Sequence, residues 1–104
     1  MQNNESILAK VETLGGAYVW DADIFAVTLF EVPVADSDAA PLSELQGVQQ
    51  IALNASNLTF PTIESIARIP GLESLVLCQD NLTPEQVSAL KLVGPEIELV
   101  SNDA

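Results

Sequence analysis

The chain has 104 residues, which is enough for a single domain that buries roughly 60 to 70% of the surface of its unfolded chain. Fifteen acidic residues, three basic residues and no histidine give a net charge of −12, which opposes binding to nucleic acid and to anionic membrane surfaces. A single cysteine, the lack of a signal-peptide pattern and the lack of a membrane-spanning apolar run predict a cytoplasmic protein.

The first predicted element is a short amphipathic helix. Apolar residues follow helical spacing over residues 5–14. Asn3 or Asn4 is suited to cap the N-terminus of this helix, and Gly15 and Gly16 are suited to end it.

A β-hairpin is predicted next. Two β-prone runs, at residues 17–20 and 24–30, are separated by the polar residues 21–23. The first of these strands would run antiparallel to the second and shield the edge of a sheet. Together with the helix, it makes an N-terminal cap over residues 1–23.

Aliphatic residues then recur with a period of 24. In the three repeats, residues 24–47, 48–71 and 72–95, columns 1, 4, 6, 11, 19 and 22 are always Val, Ile or Leu. Columns 4 and 6 alternate as in a strand, and columns 16, 19 and 22 follow helical spacing, so each repeat predicts a strand, a turn and a helix. A fixed period of this length is typical of a stacked-repeat solenoid.

Capping residues mark the ends of the predicted helices. Residues 83–86 have the Thr-Pro-Glu-Gln pattern of a capping box, and Asp36 and Thr59 hold equivalent or near-equivalent places in their repeats. Glycines at positions 47, 71 and 94 end the three helices.

Residues 96–104 predict a terminal edge strand and tail. Ile97 and Leu99 continue columns 4 and 6 only if the last spacing is shortened by two residues. An uncapped strand of this kind can pair with another strand, and the acidic residues Glu96 and Glu98 would deter unwanted pairing.

The runs VQQIALNASNL (48–58) and LESLVLCQDNL (72–82) resemble the LxxLxLxxNxL pattern of the leucine-rich repeat family. The resemblance covers about residues 24–100, and the preceding GGAYVWDADIFAVTL is similar to the entry of short bacterial members. It implies an α/β solenoid with parallel strands on the concave face, helices on the convex face and an N-terminal helix and hairpin as a cap.

One column departs from the family pattern. The position of the family's asparagine, column 9, holds Val32, Ser56 and Asp80 in the three repeats. Ser56 and Asp80 can bond to the local backbone, but Val32 and the following Pro33 cannot. We therefore expect an irregular first turn.

Few residues are suited to catalysis. Without histidine or a Gly-rich phosphate loop, the sequence predicts a protein that is not an enzyme and needs no cofactor. Two aspartate pairs, at positions 21 and 23 and at 36 and 38, fit turns and helix caps better than a metal site. Cys78 is predicted on an exposed strand face, where no neighbouring base in the sequence would activate it as a nucleophile.

The predicted concave face is the candidate binding surface, because a rigid array of strands presents side chains at fixed spacing. Its columns 3, 5 and 7 are small, weakly polar and nearly uncharged, which suits a protein partner better than a sugar or an ion. An equally weighted alternative is that small residues only accommodate curvature. The candidate partner-binding residues are Thr28, Phe30, Gln50, Ala52, Asn54, Ser74, Val76, Cys78 and Glu98.

The leading hypothesis is therefore a non-catalytic protein-interaction module. Its acidity favours a basic protein partner, because opposite charge accelerates association. An inhibitor or immunity-type protein that masks a basic toxin or nuclease site is a narrower version of the same hypothesis. Pairing of two copies through the terminal edge strand is a further alternative.

A regulatory domain is the main competing hypothesis. Residues 49–69 resemble the strand, loop and helix of a STAS-like domain, whose loop Ser or Thr is phosphorylated; Ser56, Thr59 or Thr62 would then be the switch. Parallel strands in sequence order would favour the solenoid, and a mixed sheet of shuffled order would favour the regulator.

Overall fold

A computed structural model describes residues 4–55, 57–78 and 82–100, and only the backbone of residues 30–33 and of Val100. The described residues form an α/β fold with five strands, four α-helices and one 3₁₀ segment. In chain order these elements are α1 (Asn4–Thr13), β1 (Ala17–Trp20), β2 (Phe25–Pro33), α2 (Asp36–Ala39), the 3₁₀ segment (Ala40–Glu44), β3 (Gln50–Asn54), α3 (Phe60–Ala67), β4 (Ser74–Cys78), α4 (Pro84–Lys91) and β5 (Glu96–Val100).

The strands form one sheet in the order β1-β2-β3-β4-β5, which is also their order along the chain. Strands β2 to β5 are parallel, and β1 pairs antiparallel with β2. Residues 24 apart lie side by side across β2, β3 and β4, as in the series Ala26, Gln50 and Ser74. Ser74 then pairs with Glu96, which confirms the predicted shortening of the last spacing by two residues.

The N-terminal helix and hairpin are confirmed. The β1–β2 turn is closed by a 2.8 Å hydrogen bond from the N–H of Asp21 to the C=O of Ile24. Asn4 does not act as the predicted N-cap. Its side chain instead makes two hydrogen bonds, of 2.8 and 2.9 Å, to the C=O and N–H of Gln46, because it lies beside the end of the first strand-helix unit. The other candidate cap, Asn3, lies outside the described residues.

The core lies between one face of the sheet and the helices. Alternate residues of β2, β3 and β4 point into it, because successive side chains of a strand lie on opposite faces. The most deeply buried large side chains come from both layers; they are Ile7, Leu8, Leu29, Leu42, Leu45, Ile51, Leu53, Ile63, Ile66, Leu75, Leu77 and Leu90.

Two details of the first repeat differ from the sequence prediction. Ile24, in the first aliphatic column, is exposed, because it lies at the hairpin turn; Phe25 is buried in the core instead and stacks on Trp20 with ring centroids 5.3 Å apart. The predicted helix is split into α2 and the 3₁₀ segment. Pro41 lacks the N–H that an uninterrupted α-helix would need at this position.

Three other local features of the sequence prediction are confirmed. Thr83 and Gln86 form the predicted capping box, with hydrogen bonds of 3.0 and 3.1 Å between the side chain of each and the backbone N–H of the other. Gly47 ends its unit at φ +84°, a conformation that other residues rarely adopt. The irregularity predicted near Val32 is present as a shift in the β2–β3 register between Leu29 and Pro33.

The core predicts a large difference between two leucine truncations. Leu53 is fully buried in β3, so Leu53→Ala should lower the free energy of unfolding by roughly 2 to 5 kcal/mol. Leu92 is 88% exposed, so Leu92→Ala should change it by no more than about 0.5 kcal/mol. Urea unfolding followed by circular dichroism measures both values, and equal losses would contradict this core.

Candidate functional site

The sheet has an open face, opposite the helices, that no described helix or strand covers. The strand register arranges its side chains in two rows that cross all five strands. We define the open face by these rows, which are Val19, Ala26, Gln50, Ser74 and Glu96, and Ala17, Thr28, Ala52, Val76 and Glu98. With strands about 4.8 Å apart, each row spans roughly 19 Å.

The open face is shallow because most of its side chains are small. A depression of about 230 Å³ lies over strands β1 to β4, and its floor includes Ala26, Ala52 and Val76. A second depression, of about 560 Å³, lies beside Gly15, Gly16 and Thr28. Gly16 lies so close to the Thr28 carbonyl oxygen and the Leu29 side chain that a Cβ would collide with them, so the cap is held tightly against β2.

The structure places six of the nine candidate binding residues on this face. Thr28, Gln50 and Glu98 are exposed, and three smaller side chains between the strands are partly exposed; these are Ala52, Ser74 and Val76. The side chain of Phe30 lies outside the described part of the chain. Sequence reasoning did not single out Ala17 and Val19, although the predicted hairpin places β1 next to this face.

Asn54 and Cys78 are buried, whereas the sequence predicted that they are exposed on the binding face. Their side chains are only 7% and 4% exposed. Each residue is the last of its strand, and the neighbouring Leu53, Ala55 and Leu77 are also buried, so the alternation of the two faces ends here. The chain after β3 turns inward, where the N–H of Ala55 donates a 3.0 Å hydrogen bond to the C=O of Cys78.

Most of the described acidic side chains lie away from the open face. Among the described side chains, its part on strands β1 to β4 has no charge, whereas β5 contributes Glu96 and Glu98. The other described acids lie on helices, turns and connections; they are Glu5, Glu12, Asp21, Asp23, Asp36, Asp38, Glu44, Glu64, Glu73 and Glu85. The whole chain is strongly negative, with a net charge of −12, whereas the open face itself is nearly neutral.

Asp36 and Thr59 contact each other, whereas the sequence suggested that each caps its own helix. The N–H and the hydroxyl of Thr59 each donate a 2.9 Å hydrogen bond to a different carboxylate oxygen of Asp36. These hydrogen bonds hold the pKa of Asp36 below its ordinary value of 3.8. The bond from the Thr59 N–H is the largest cause, and the bond from the Thr59 hydroxyl is the next largest. The two residues are 23 apart in the sequence, and the side-by-side packing of the first two strand-helix segments brings them together.

The described carboxylates do not make a metal centre. In residues 4–55, 57–78 and 82–100, no group of three or more His, Cys, Asp or Glu side chains is arranged to hold a metal ion. The Asp36 carboxylate is engaged by Thr59, and the Asp21 side chain accepts from the N–H of Ala22 within the hairpin turn. Both groups thus stabilise turns and helix starts.

Comparison with known proteins does not extend these observations. No protein-family model matches the chain, and comparisons with curated proteins and with solved structures found no significant similarity. Of the helices that the structure describes, none has both the length and the apolar character needed to cross a membrane.

Burial of Cys78 predicts a slow reaction with thiol reagents. The native protein should react with an aromatic disulfide reagent on the order of tenfold or more slowly than a Cys78→Ala, Thr28→Cys variant, whose single thiol lies on the open face. Urea should equalise the two rates. The absorbance of the released thiolate measures both rates. Rapid labelling of native Cys78 would contradict its burial and make it a candidate nucleophile.

The contact between Asp36 and Thr59 predicts a pH-dependent contribution to stability. The pKa of Asp36 is lower in the folded protein than in the unfolded chain. Its carboxylate therefore stabilises the fold above pH 3.8, and this contribution is lost as the pH falls through the pKa of the folded protein. Asp36→Asn should lower Tm at neutral pH, and the difference from the wild type should shrink in acid. Calorimetry across the acid range measures this, with Asp38→Asn as the control; a difference that is constant with pH would contradict the ionised contact.

Proposed function

We propose that this chain is a short solenoid of the leucine-rich repeat type that acts as a non-catalytic protein-interaction module. Its binding surface is the open face of the sheet, and its partner is a protein with a basic surface. The observation on which this rests is the sheet face that the described chain leaves uncovered, with two uncharged rows of side chains across four strands.

The main support for a binding role is that no described helix or strand covers the open face. Parallel sheets are usually covered on both faces, because their hydrophobic side chains need burial on each side. Here one face is covered by helices, and the described part of the other presents Ala26, Ala52 and Val76 partly to solvent. Such a surface matches the composition of an interface core, which is depleted in charge.

The strand order supports the solenoid over the STAS-like regulator. Four parallel strands follow one another in chain order, with the helices on one side, as expected for stacked repeats. A phosphate on Thr59 would also lie beside the Asp36 carboxylate and be repelled by it, since the Thr59 hydroxyl bonds to this group at 2.9 Å. Thr62 also lowers the pKa of this carboxylate, and Ser56 lies outside the described residues.

The charge distribution supports a basic partner. The net charge of −12 would attract a positive surface over about one Debye length, while the neutral rows make the close contact. This arrangement separates two tasks: long-range attraction sets the rate of association, and the apolar side chains set the lifetime of the complex. An inhibitor that masks a basic site fits the same arrangement.

Insertion of a large side chain into the open face tests the proposal. Ala52→Arg should reduce capture of the partner from a lysate of the source cells about tenfold or more, equivalent to roughly 1.4 kcal/mol. Ser88→Arg makes the same change in charge at an exposed position of α4, and it should leave capture unchanged. Mass spectrometry identifies and quantifies the bound protein.

Thermal unfolding of both variants checks that the fold is retained. A protein that is lost with Ala52→Arg, retained with Ser88→Arg and released by high salt supports the proposal. Equal capture by both variants would remove the open face from consideration. An acidic partner would contradict the electrostatic part alone.

A further inference from the structure

The outer edge of β5 is a second surface, distinct from the open face. In the part of the chain that the structure describes, no strand pairs with this edge. The N–H of Glu96 donates a 2.8 Å hydrogen bond to the C=O of Glu73, toward β4. Because backbone groups of successive strand residues point to opposite sides, Ile97 and Leu99 direct their N–H and C=O groups away from β4.

The two sides of β5 differ chemically. Glu96 and Glu98 lie on the open face, in register with Ser74 and Val76. Ile97 and Leu99 lie on the helix side, in register with the fully buried Leu75 and Leu77. Leu99 is nevertheless 42% exposed, because no described element lies beyond it. Leu92, immediately after α4, is 88% exposed.

Two of the registers in which a second copy of this chain could pair with the edge bring like charges together. Antiparallel pairing of two β5 strands would oppose Ile97 to Leu99 and therefore Glu98 to Glu98. The register that opposes Ile97 to its own copy would set Glu96 against Glu98. Like charges directly opposite destabilise a strand pair, and the net charge of −12 on each chain adds to the repulsion.

A basic strand would satisfy every group at the edge. Lysine or arginine at alternate positions would lie beside Glu96 and Glu98, and the aliphatic residues between them would cover Leu99 and Ile97. The backbone of this strand would supply partners for the outward N–H and C=O groups. This is recognition by strand addition, in which the main chain provides affinity and alternate side chains provide specificity.

We propose that the outer edge of β5 binds an extended segment of a partner in which basic and aliphatic residues alternate. The carboxylates of Glu96 and Glu98 select for this segment and repel an identical edge. The proposed site shares Glu96 and Glu98 with the open face, but its backbone groups and Leu99 lie at the end of the sheet rather than on its surface.

A labelled octapeptide in which lysine and valine alternate tests the proposal by fluorescence anisotropy, at about 0.15 M salt to limit nonspecific attraction. Two matched peptides keep its composition and charge but are N-methylated on either the valine or the lysine amides. In an antiparallel pair the valine amides face β5, and in a parallel pair the lysine amides do. One methylated peptide should therefore lose binding and the other retain it. Equal binding of all three would overturn the proposal.

Variants of the protein test the edge from the other side. Leu99→Pro removes an outward N–H without breaking the β4–β5 ladder. It should weaken binding of the peptide more than Leu99→Ala, which keeps that N–H. The double variant Glu96→Gln, Glu98→Gln should weaken binding of the peptide about threefold to tenfold. Glu5→Gln with Glu12→Gln makes the same change in charge on α1 and should have little effect.

Two outcomes would overturn the proposal. If the two double glutamine variants weaken binding of the peptide equally, the attraction comes from net charge rather than from the edge. If sedimentation velocity shows a dimer of the wild type that Leu99→Pro abolishes, the occupant is a second copy of this chain. Circular dichroism of each variant confirms that the fold is retained before binding is compared.

Discussion

The apolar interface between the sheet and the helices determines the rest of the structure, because neither layer can bury its aliphatic side chains without the other. Each strand-helix unit has one such side and is too small to bury it alone. Lateral stacking solves this problem, and it places Leu53 and Leu77 beside each other in adjacent strands. The same packing keeps one register across most of β2, β3 and β4, so residues 24 apart become neighbours on both faces of this part of the sheet.

Placing all helices on one side has two consequences for function. The opposite face of the sheet is left to solvent, and small side chains such as Ala52 keep it shallow. At the other edge of the described sheet, β5 directs backbone groups and Leu99 outward. These surfaces follow from the architecture, whereas Glu96 and Glu98 give the last strand its negative charge.

The aliphatic columns allowed much of this fold to be predicted, since burial against a single layer leaves a periodic trace in the sequence. Even the shortened spacing before Ile97 was predictable from strand alternation. The contact between Asp36 and Thr59 was not, because it depends on the geometry of two side chains that meet only after the units stack. Asn54 and Cys78 were predicted to be exposed and are buried, because strand alternation predicts exposure only up to the last residue of a strand.

Trp20 is the only tryptophan in the chain, and it stacks on Phe25 within the hairpin. Its ring is 48% exposed, so its emission responds to both the stacking partner and the solvent. The protein therefore contains an intrinsic optical reporter of its first edge. Quenching of that signal during mild denaturation can be compared with the loss of total ellipticity, which distinguishes fraying of the hairpin from cooperative unfolding of the whole sheet.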